Sequence, residues 1–155
     1  MLKEGDKAPN FKLPKDGGGE FDLASANGKI VVLYFYPKDD TSGCTKEAQG
    51  FSEKLNEFEA EGAIVVGVSP DSVKSHDKFK EKYGLGVTLL ADEEKKVIQD
   101  YGVWAEKKMY GKTYMGVDRS TFIIDGKGKV VKVWRGVKVP GHTEEVLEAV
   151  RALKG

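Results

Sequence analysis

The sequence predicts an α/β domain with one central mixed β-sheet and helices on both of its faces. Two continuous apolar runs, residues 30–36 and 63–68, are rich in β-branched and aromatic residues, which is typical of strands buried on both faces. Each run leads into a segment with helical periodicity. Two further strands, joined by the turn at residues 126–128, and a helix over residues 143–153 follow later in the chain. Strands that alternate with helices and then form a hairpin indicate a sheet of mixed direction.

The first quarter of the chain is predicted to hold a short β-hairpin and the first long strand. The hairpin pairs residues 11–13 with residues 20–23 across a turn of three glycines. The first apolar strand ends at Pro37, and a polar loop then leads to a helix over residues 42–61, which Gly62 stops. The polar loop therefore lies at the carboxyl end of a buried strand, where the sites of open α/β sheets gather.

The rest of the chain continues the alternation of strands and helices. The predicted elements are a helix that starts at residues 69–71 and ends near Tyr83, a strand at 87–90, a helix at 93–101, a possible hairpin of 108–110 with 113–115, strands at 119–125 and 130–134, and the closing helix. No repeat or low-complexity linker interrupts this order. We therefore expect a single domain that spans residues 1–155.

Composition excludes several classes of function. The 155 residues include 25 Lys+Arg and 25 Asp+Glu, so the formal charge is zero and the basic footprint of a nucleic-acid-binding protein is absent. No run approaches the ~18 apolar residues that a membrane span needs. The first six residues lack the apolar region of a secretory signal, and we expect a cytoplasmic location.

The chain has one cysteine and two histidines. One cysteine excludes an internal disulfide and any zinc or iron–sulfur site that needs several cysteines. The histidines, His76 and His142, lie too far apart in sequence for a histidine-rich metal site, so we expect no metal. A lone cysteine is typical of a reducing compartment.

Cys44 is the strongest candidate for a reactive side chain. Thr41 is a favourable N-cap for the helix that follows, and its oxygen is predicted to accept a hydrogen bond from the Cys44 amide. Cys44 would then lie in the first helical turn, where the helix dipole and unpaired N–H groups favour the thiolate form. By comparison, Asp39 and Asp40 in the same loop are predicted to be solvated charges, and His76 to be structural or partly exposed.

The helical phase supports a pocket position for Cys44. Cys44, Ala48, Phe51, Leu55 and Phe58 follow spacings of four, three, four and three residues, so they form one face of the helix. That face packs on the sheet and directs Cys44 toward a pocket at the sheet edge. An inert, buried cysteine that serves only as a small hydrophobic residue is the alternative.

The pattern Pro37-x-x-x-Thr41-x-x-Cys44 resembles the active-site motif of the peroxiredoxins. The flanking residues are similar to the bacterioferritin comigratory protein, or PrxQ, subfamily, and the similarity extends over essentially the whole chain. It includes the turn at 67–71 and the segment 119–125. The resemblance implies a thioredoxin-like fold with an N-terminal β-hairpin, and a peroxidase that reduces hydroperoxides without an organic cofactor.

The resemblance also implies roles for individual residues. Cys44 would be the peroxidatic cysteine, Thr41 would orient the peroxide, and Pro37 would shield the site from water. Arg119 would stabilise the thiolate and the charge that develops on the leaving oxygen. Glu47 matches a position that is often acidic in the subfamily and is carried as a supporting residue. From its sequence position alone, Arg119 is predicted to be a surface residue or a structural ion-pair partner.

One departure from the subfamily changes the expected cycle. Many members have a second cysteine five residues after the first, but this chain has Gln49 there and no other cysteine. The resemblance therefore implies a one-cysteine cycle, in which an external thiol such as thioredoxin, glutaredoxin or a small thiol resolves the sulfenic acid. Subfamily members that resemble this chain are often monomers, and some form dimers. The resemblance therefore implies that this protein is a monomer or a weak dimer.

Two other functions compete with the peroxidase. A non-enzymatic thioredoxin-fold binding or chaperone-like protein with an inert cysteine would not need Thr41 and Arg119. A disulfide oxidoreductase normally requires a Cys-x-x-Cys pair, and Thr41 occupies the first position of that pattern. Both observations favour the peroxidase.

Overall fold

A computed structural model describes residues 2–154 of the chain. The elements in chain order are β1 (Lys12–Pro14), β2 (Glu20–Asp22), a 3-10 helix (Leu23–Ala26), β3 (Ile30–Phe35), α1 (Ser42–Glu53), α2 (Leu55–Ala60), β4 (Ala63–Ser69), α3 (Val73–Tyr83), β5 (Thr88–Ala91), α4 (Lys96–Asp100), β6 (Trp104–Met109), β7 (Lys112–Val117), β8 (Ser120–Ile124), β9 (Val130–Trp134) and α5 (His142–Lys154). Among residues 2–154, no helix has the length and apolar character that a membrane span needs.

Five strands form the central mixed sheet that the sequence predicts. Their spatial order is β5-β4-β3-β8-β9. β3 pairs in parallel with β4, and β4 with β5, whereas β8 runs antiparallel to both β3 and β9. β1 and β2 form the predicted N-terminal hairpin. β6 and β7 form a separate antiparallel pair. The predicted thioredoxin-like α/β architecture is therefore confirmed.

The alternation of side chains along β3 supplies both faces of the sheet. Val31, Leu33 and Phe35 belong to one buried cluster, and Val32 and Tyr34 belong to the cluster on the opposite face. Successive residues of a strand point to opposite sides, so a continuous apolar run serves two cores at once. β3 can therefore lie in the middle of the sheet, covered by helices on both sides.

The predicted apolar face of the first helix packs as expected. Cys44, Ala48 and Phe51 of α1 and Phe58 of α2 are buried in the same cluster, and Leu55 packs against it. The ring of Phe51 stacks on Tyr34 of β3 with 4.7 Å between the ring centroids. This contact fixes the α1 helix against the sheet and places its first turn at the sheet edge.

Several predicted boundaries were wrong. The helix predicted over residues 42–61 is interrupted at Lys54, whose amide bonds to the Phe51 carbonyl in a tighter turn. The helix predicted to begin at Glu93 begins at Lys96, because Lys95 adopts a left-handed conformation that a helix cannot contain. The hairpin around Gly111 is longer than predicted and comprises all of β6 and β7.

The register of β8 brings Arg119 next to the loop between β3 and α1. Arg119 was predicted to begin a strand, but it immediately precedes β8. Phe35 pairs with Ser120 in the antiparallel register, so Arg119 lies level with the residue that follows β3. The loop that leads into α1 starts at the same level. The sheet therefore unites two segments that are 75 residues apart in sequence.

Candidate active site

Cys44 is buried at the first turn of α1 and accepts a hydrogen bond from an arginine. Its side chain is 2% exposed. Nη2 of Arg119 donates to Sγ of Cys44 across 3.3 Å. A guanidinium keeps its positive charge at any physiological pH. Cys44 therefore combines packing in the apolar cluster with a hydrogen bond from a cation, which a cysteine buried only among apolar side chains lacks.

The same guanidinium also binds Glu47. Nη1 of Arg119 donates to Oε1 of Glu47 at 2.7 Å, and the Glu47 side chain is fully buried. Glu47 follows Cys44 by three residues, so both side chains project from the same side of α1. The planar fork of Arg119 thus bridges a sulfur and a carboxylate. The second carboxylate oxygen of Glu47 finds no hydrogen-bond partner among residues 2–154.

The backbone around Arg119 holds its side chain in place. The Arg119 carbonyl accepts a hydrogen bond from the Val137 amide at 2.9 Å. A Cβ atom added at Gly43 would lie 3.2 Å from Nη2 of Arg119, so a side chain at this position would need the guanidinium to shift by a few tenths of an ångström. The sequence interpretation did not single out Gly43. A glycine inside the first turn of a helix, directly before the candidate nucleophile, was the available signal.

Thr41 and Pro37 lie in the loop between β3 and α1. Thr41 is the N-cap of α1, but its hydroxyl donates to the Lys38 carbonyl at 2.8 Å and makes no side-chain cap bond. The predicted hydrogen bond from the Cys44 amide was therefore wrong, because the hydroxyl is oriented toward the Lys38 carbonyl and accepts no bond from that amide. Pro37 is half-buried, two residues after the end of β3. Neither residue makes a hydrogen bond to Cys44, Arg119 or Glu47 in the described structure.

The acid–base state of Glu47 depends on its burial. Burial raises the pKa of the Glu47 carboxyl to about 7, although the Arg119 guanidinium opposes this shift. Near neutral pH the carboxyl therefore exchanges between a neutral and an ionised form. When Glu47 is neutral, the charge of Arg119 is no longer shared with a carboxylate and acts mainly on Cys44.

The Glu47→Gln variant tests this burial effect through stability. The folded-state pKa of Glu47 lies above the value of about 4.3 for an unfolded chain. The stability that the protonated side chain contributes is therefore fully present below about pH 4.3 and is lost as the pH rises through about 7. We expect the melting temperature of the wild type, relative to Glu47→Gln, to fall between pH 5 and pH 8. Glu59→Gln, at an exposed position, should show no such trend, and a constant difference for Glu47→Gln would refute the assignment.

A second polar cluster anchors the loop on α3. Asp39, predicted to be solvated, is buried, and His76 is fully buried. Their side chains form a hydrogen-bonded pair at 2.7 Å. Asp71 also lies within this cluster, and ligand atoms of the three residues come within 4.8 Å of one another. Their polar atoms already bond to protein groups, so we assign them as a hydrogen-bond network and not as metal ligands.

Comparison with known proteins gives a consistent result. A model described as the AhpC/TSA family matches residues 4–133. The "Putative peroxiredoxin bcp" of Coxiella burnetii is 49% identical over 94% of this chain and 97% of its own length. The "Peroxiredoxin Bcp" of Bacillus subtilis is 48% identical over 97% of this chain and 96% of its own.

A solved structure extends this similarity to the fold. The bacterioferritin comigratory protein of Xanthomonas campestris superposes with a TM-score of 0.91 at 41% identity, covering 100% of this chain and 99% of that chain. That protein is described as having alkyl peroxide reduction activity, with structures of a trapped intermediate and ligand complexes. Sequence and fold thus agree over almost the full length of both chains.

Proposed function

Because this chain belongs to the AhpC/TSA family and is a thiol-dependent peroxidase of the Bcp/PrxQ peroxiredoxins, we propose that Cys44 is its peroxidatic residue. The observation that carries this assignment is the hydrogen bond from Arg119 to Cys44 Sγ. Cys44 is also the only cysteine of the sequence, so no other thiol can react. We propose that residues 1–155 act as one domain.

The first half of the reaction converts Cys44 to a sulfenic acid. The thiolate sulfur attacks one peroxide oxygen, a sulfur–oxygen bond forms, and the oxygen–oxygen bond breaks. The leaving oxygen takes the electron pair and then a proton, which gives water or an alcohol. Negative charge moves from sulfur to the leaving oxygen during this step. The guanidinium of Arg119 lies beside the sulfur, where it stabilises that charge throughout the transfer.

The neighbouring residues assist by position. The Thr41 hydroxyl donates a hydrogen bond to the Lys38 carbonyl. The lone pairs of its oxygen are therefore available to accept a hydrogen bond from the peroxide O–H. Pro37 lies in the same loop and limits the access of water to Cys44. Glu47 acts as a supporting residue that orients the guanidinium through the 2.7 Å ion pair. The hydrogen bonds of Thr41 and Glu47 and the family motif support these roles.

The second half of the reaction requires an external thiol. A thiol attacks the sulfenic sulfur and releases water, which leaves a mixed disulfide on Cys44. A second thiol then releases the Cys44 thiolate and forms a disulfide of the reductant. Thioredoxin, glutaredoxin and small thiols are the candidate reductants. This need for external thiols, together with a single cysteine, supports a location in the reducing cytoplasm, and we propose a monomer or a weak dimer.

The proposed substrates are hydrogen peroxide and organic hydroperoxides. The alkyl peroxide activity named for the Xanthomonas campestris relative supports the second class. The alternative of a non-enzymatic binding protein is disfavoured, because such a protein gains nothing from placing a cation on its only cysteine. A disulfide oxidoreductase is disfavoured by the absence of a second cysteine.

Peroxide consumption by the purified chain tests the proposed function. With dithiothreitol as reductant, we expect the protein to accelerate the loss of hydrogen peroxide and of cumene hydroperoxide, in proportion to protein concentration. Without dithiothreitol, rapid consumption should end after about one peroxide per chain, because nothing regenerates the single thiol, and only the further oxidation of the same sulfur should follow. A rate no greater than that of dithiothreitol alone would contradict the assignment.

A further inference from the structure

The hydrogen-bond partners of the buried His76 and Asp39 pair limit it to two protonation states. Nε2 of His76 lies 2.9 Å from the Leu90 carbonyl oxygen, which can only accept a hydrogen bond. Nδ1 of His76 lies 2.7 Å from Oδ2 of Asp39. A neutral imidazole has one N–H group and cannot donate to both. The pair is therefore either an imidazolium with a carboxylate, or a neutral imidazole with a protonated aspartic acid.

The other contacts of Asp39 favour the charged pair. The Tyr36 hydroxyl donates to Oδ1 of Asp39 at 2.6 Å, and the Ser75 hydroxyl donates to Oδ2 at 2.7 Å. With His76, the Asp39 carboxyl thus faces three donors, and the two oxygens of a carboxylate have the lone pairs to accept all three hydrogen bonds. The structure therefore indicates a buried imidazolium that joins α3 to the loop containing Asp39.

This loop presents the reactive residues. Asp39 is two residues before Thr41 and five before Cys44. Its backbone amide donates to the Asp71 carboxylate at 2.8 Å, which fixes the loop from a second side. The next residue, Asp40, adopts a left-handed backbone conformation and bonds to Lys82 on α3. A non-glycine residue keeps this conformation only where surrounding contacts enforce it.

We propose that His76 is a positioning residue for the peroxidase reaction, a buried imidazolium that ties Asp39, and with it the loop that carries Thr41 and Cys44, to α3. In residues 2–154, the hydrogen bonds of the His76 ring go to Asp39, Leu90 and Tyr36 and not to Cys44 or Arg119, so we infer that His76 acts through the loop. This inference rests on the proposed assignment of Cys44 as the reacting thiol.

The charged and titratable groups around His76 give the anchor a pH dependence. Burial alone lowers the pKa of His76, but the hydrogen bond and charge of Asp39, the Leu90 carbonyl and the Asp71 carboxylate together raise it above 6.5. The Tyr36 hydroxyl, 3.4 Å from Nδ1, also faces the ring. Because the folded-state pKa is raised, the anchor is complete below the unfolded value and is lost as the pH rises through the folded value.

Loss of the proton must break one end of the anchor. A neutral His76 keeps either its bond to Leu90 or its bond to Asp39, and the other acceptor then loses the hydrogen bond that His76 donated. Release of Asp39 loosens the loop before Cys44. A displacement of the reacting group by about 1 Å can lower a rate by ~10²-fold. We therefore expect an alkaline decline in the rate of Cys44 oxidation that follows His76.

Nuclear magnetic resonance of the wild-type chain tests the imidazolium without using activity. The sequence has only two histidines, so ¹⁵N ring signals of His76 and His142 can be assigned with a His142→Gln variant. We expect both ring nitrogens of His76 to carry protons at pH 7 and one to lose its proton at higher pH. A neutral ring with a single tautomer at pH 7 would overturn the proposal, whether or not the protein reduces peroxide.

The pH profile of Cys44 oxidation tests the positioning role. In the wild type, the stopped-flow rate with hydrogen peroxide should decline about tenfold or more with the midpoint found for His76. An Asp39→Asn side chain can donate to a neutral His76, so this variant should lack that decline. Asp92→Asn alters another buried aspartate, one that accepts from the Ile98 amide, and should keep the decline. A decline of equal size in Asp39→Asn would overturn the proposal.

Amide hydrogen exchange gives a readout that does not depend on peroxidase activity. In His76→Gln, exchange of the amides of residues 38–44 should accelerate about tenfold or more at pH 7, whereas the amides of α5 should be unaffected. Unchanged protection of residues 38–44 would overturn the proposal even if Cys44 proved not to be the reacting thiol. A failure of peroxide reduction in the wild type would instead contradict the proposed function, so the two failures are distinguishable.

Discussion

Replacement of Cys44 by serine is expected to abolish peroxide reduction. The serine hydroxyl keeps the shape of the side chain but stays protonated near neutral pH and is a weak nucleophile. The expected loss of rate is about 10⁴-fold or more, which is the order observed when a covalent nucleophile is removed from an enzyme. The rate would be measured as peroxide consumption with dithiothreitol, and the melting temperature would confirm that the variant is folded.

A relocated thiol provides the matched control for this variant. The double variant Cys44→Ser with Ser42→Cys restores one thiol to the same helical turn, but at the exposed position of Ser42. That thiol does not have Sγ beside Nη2 of Arg119, so we expect it not to restore activity. Full activity in Cys44→Ser would contradict the central assignment. Full activity in the double variant would show that the position beside Arg119 is not needed.

Replacement of Arg119 by alanine is expected to lower the rate of Cys44 oxidation by ~10²–10³-fold. This is the usual cost of removing one preorganised donor from the position where charge develops. Arg119→Lys keeps the charge but loses the planar fork that bridges Cys44 and Glu47, so it should fall between the wild type and Arg119→Ala. Stopped-flow kinetics with hydrogen peroxide would measure all three proteins.

Two further variants separate catalysis from stability. Arg119→Ala leaves the buried Glu47 without its cation, so the double variant Arg119→Ala with Glu47→Gln removes that cost and should still be slow. Arg135 provides the matched control, because its guanidinium donates to the carbonyls of Gly102 and Leu2 and not to the site. Arg135→Ala should keep the oxidation rate. A rate close to that of the wild type in Arg119→Ala would reassign Arg119 to a structural role.

Local patterns in the sequence predicted the fold well. The apolar run of β3 and the 4-3-4-3 spacing of α1 each reflect a single periodicity, and a periodicity read over a few residues suffices to place them. The boundaries of α4 and the break at Lys54 were missed. They depend on single backbone conformations, such as the positive φ of Lys95, which propensity does not determine.

The candidate site was predictable only in part. The position of Cys44 at the start of α1 followed from the strand, the loop and the helical phase. The contact between Arg119 and Cys44 depends on the pairing of β3 with β8, and without the family resemblance the sequence offers no local signal for it. The same limit applies to His76. Its burial depends on the packing of α3 against the loop, a long-range contact that residue type alone does not reveal.

The central claim is a one-cysteine cycle in which Cys44 forms a sulfenic acid. The most direct test is mass spectrometry of the protein after one equivalent of hydrogen peroxide, with and without a sulfenic-acid trap. The account predicts one trap adduct per chain, on the peptide that contains Cys44, and further oxidation to sulfinic acid when peroxide is in excess and no thiol is present. Peroxide consumption without a trappable adduct at Cys44 would contradict it.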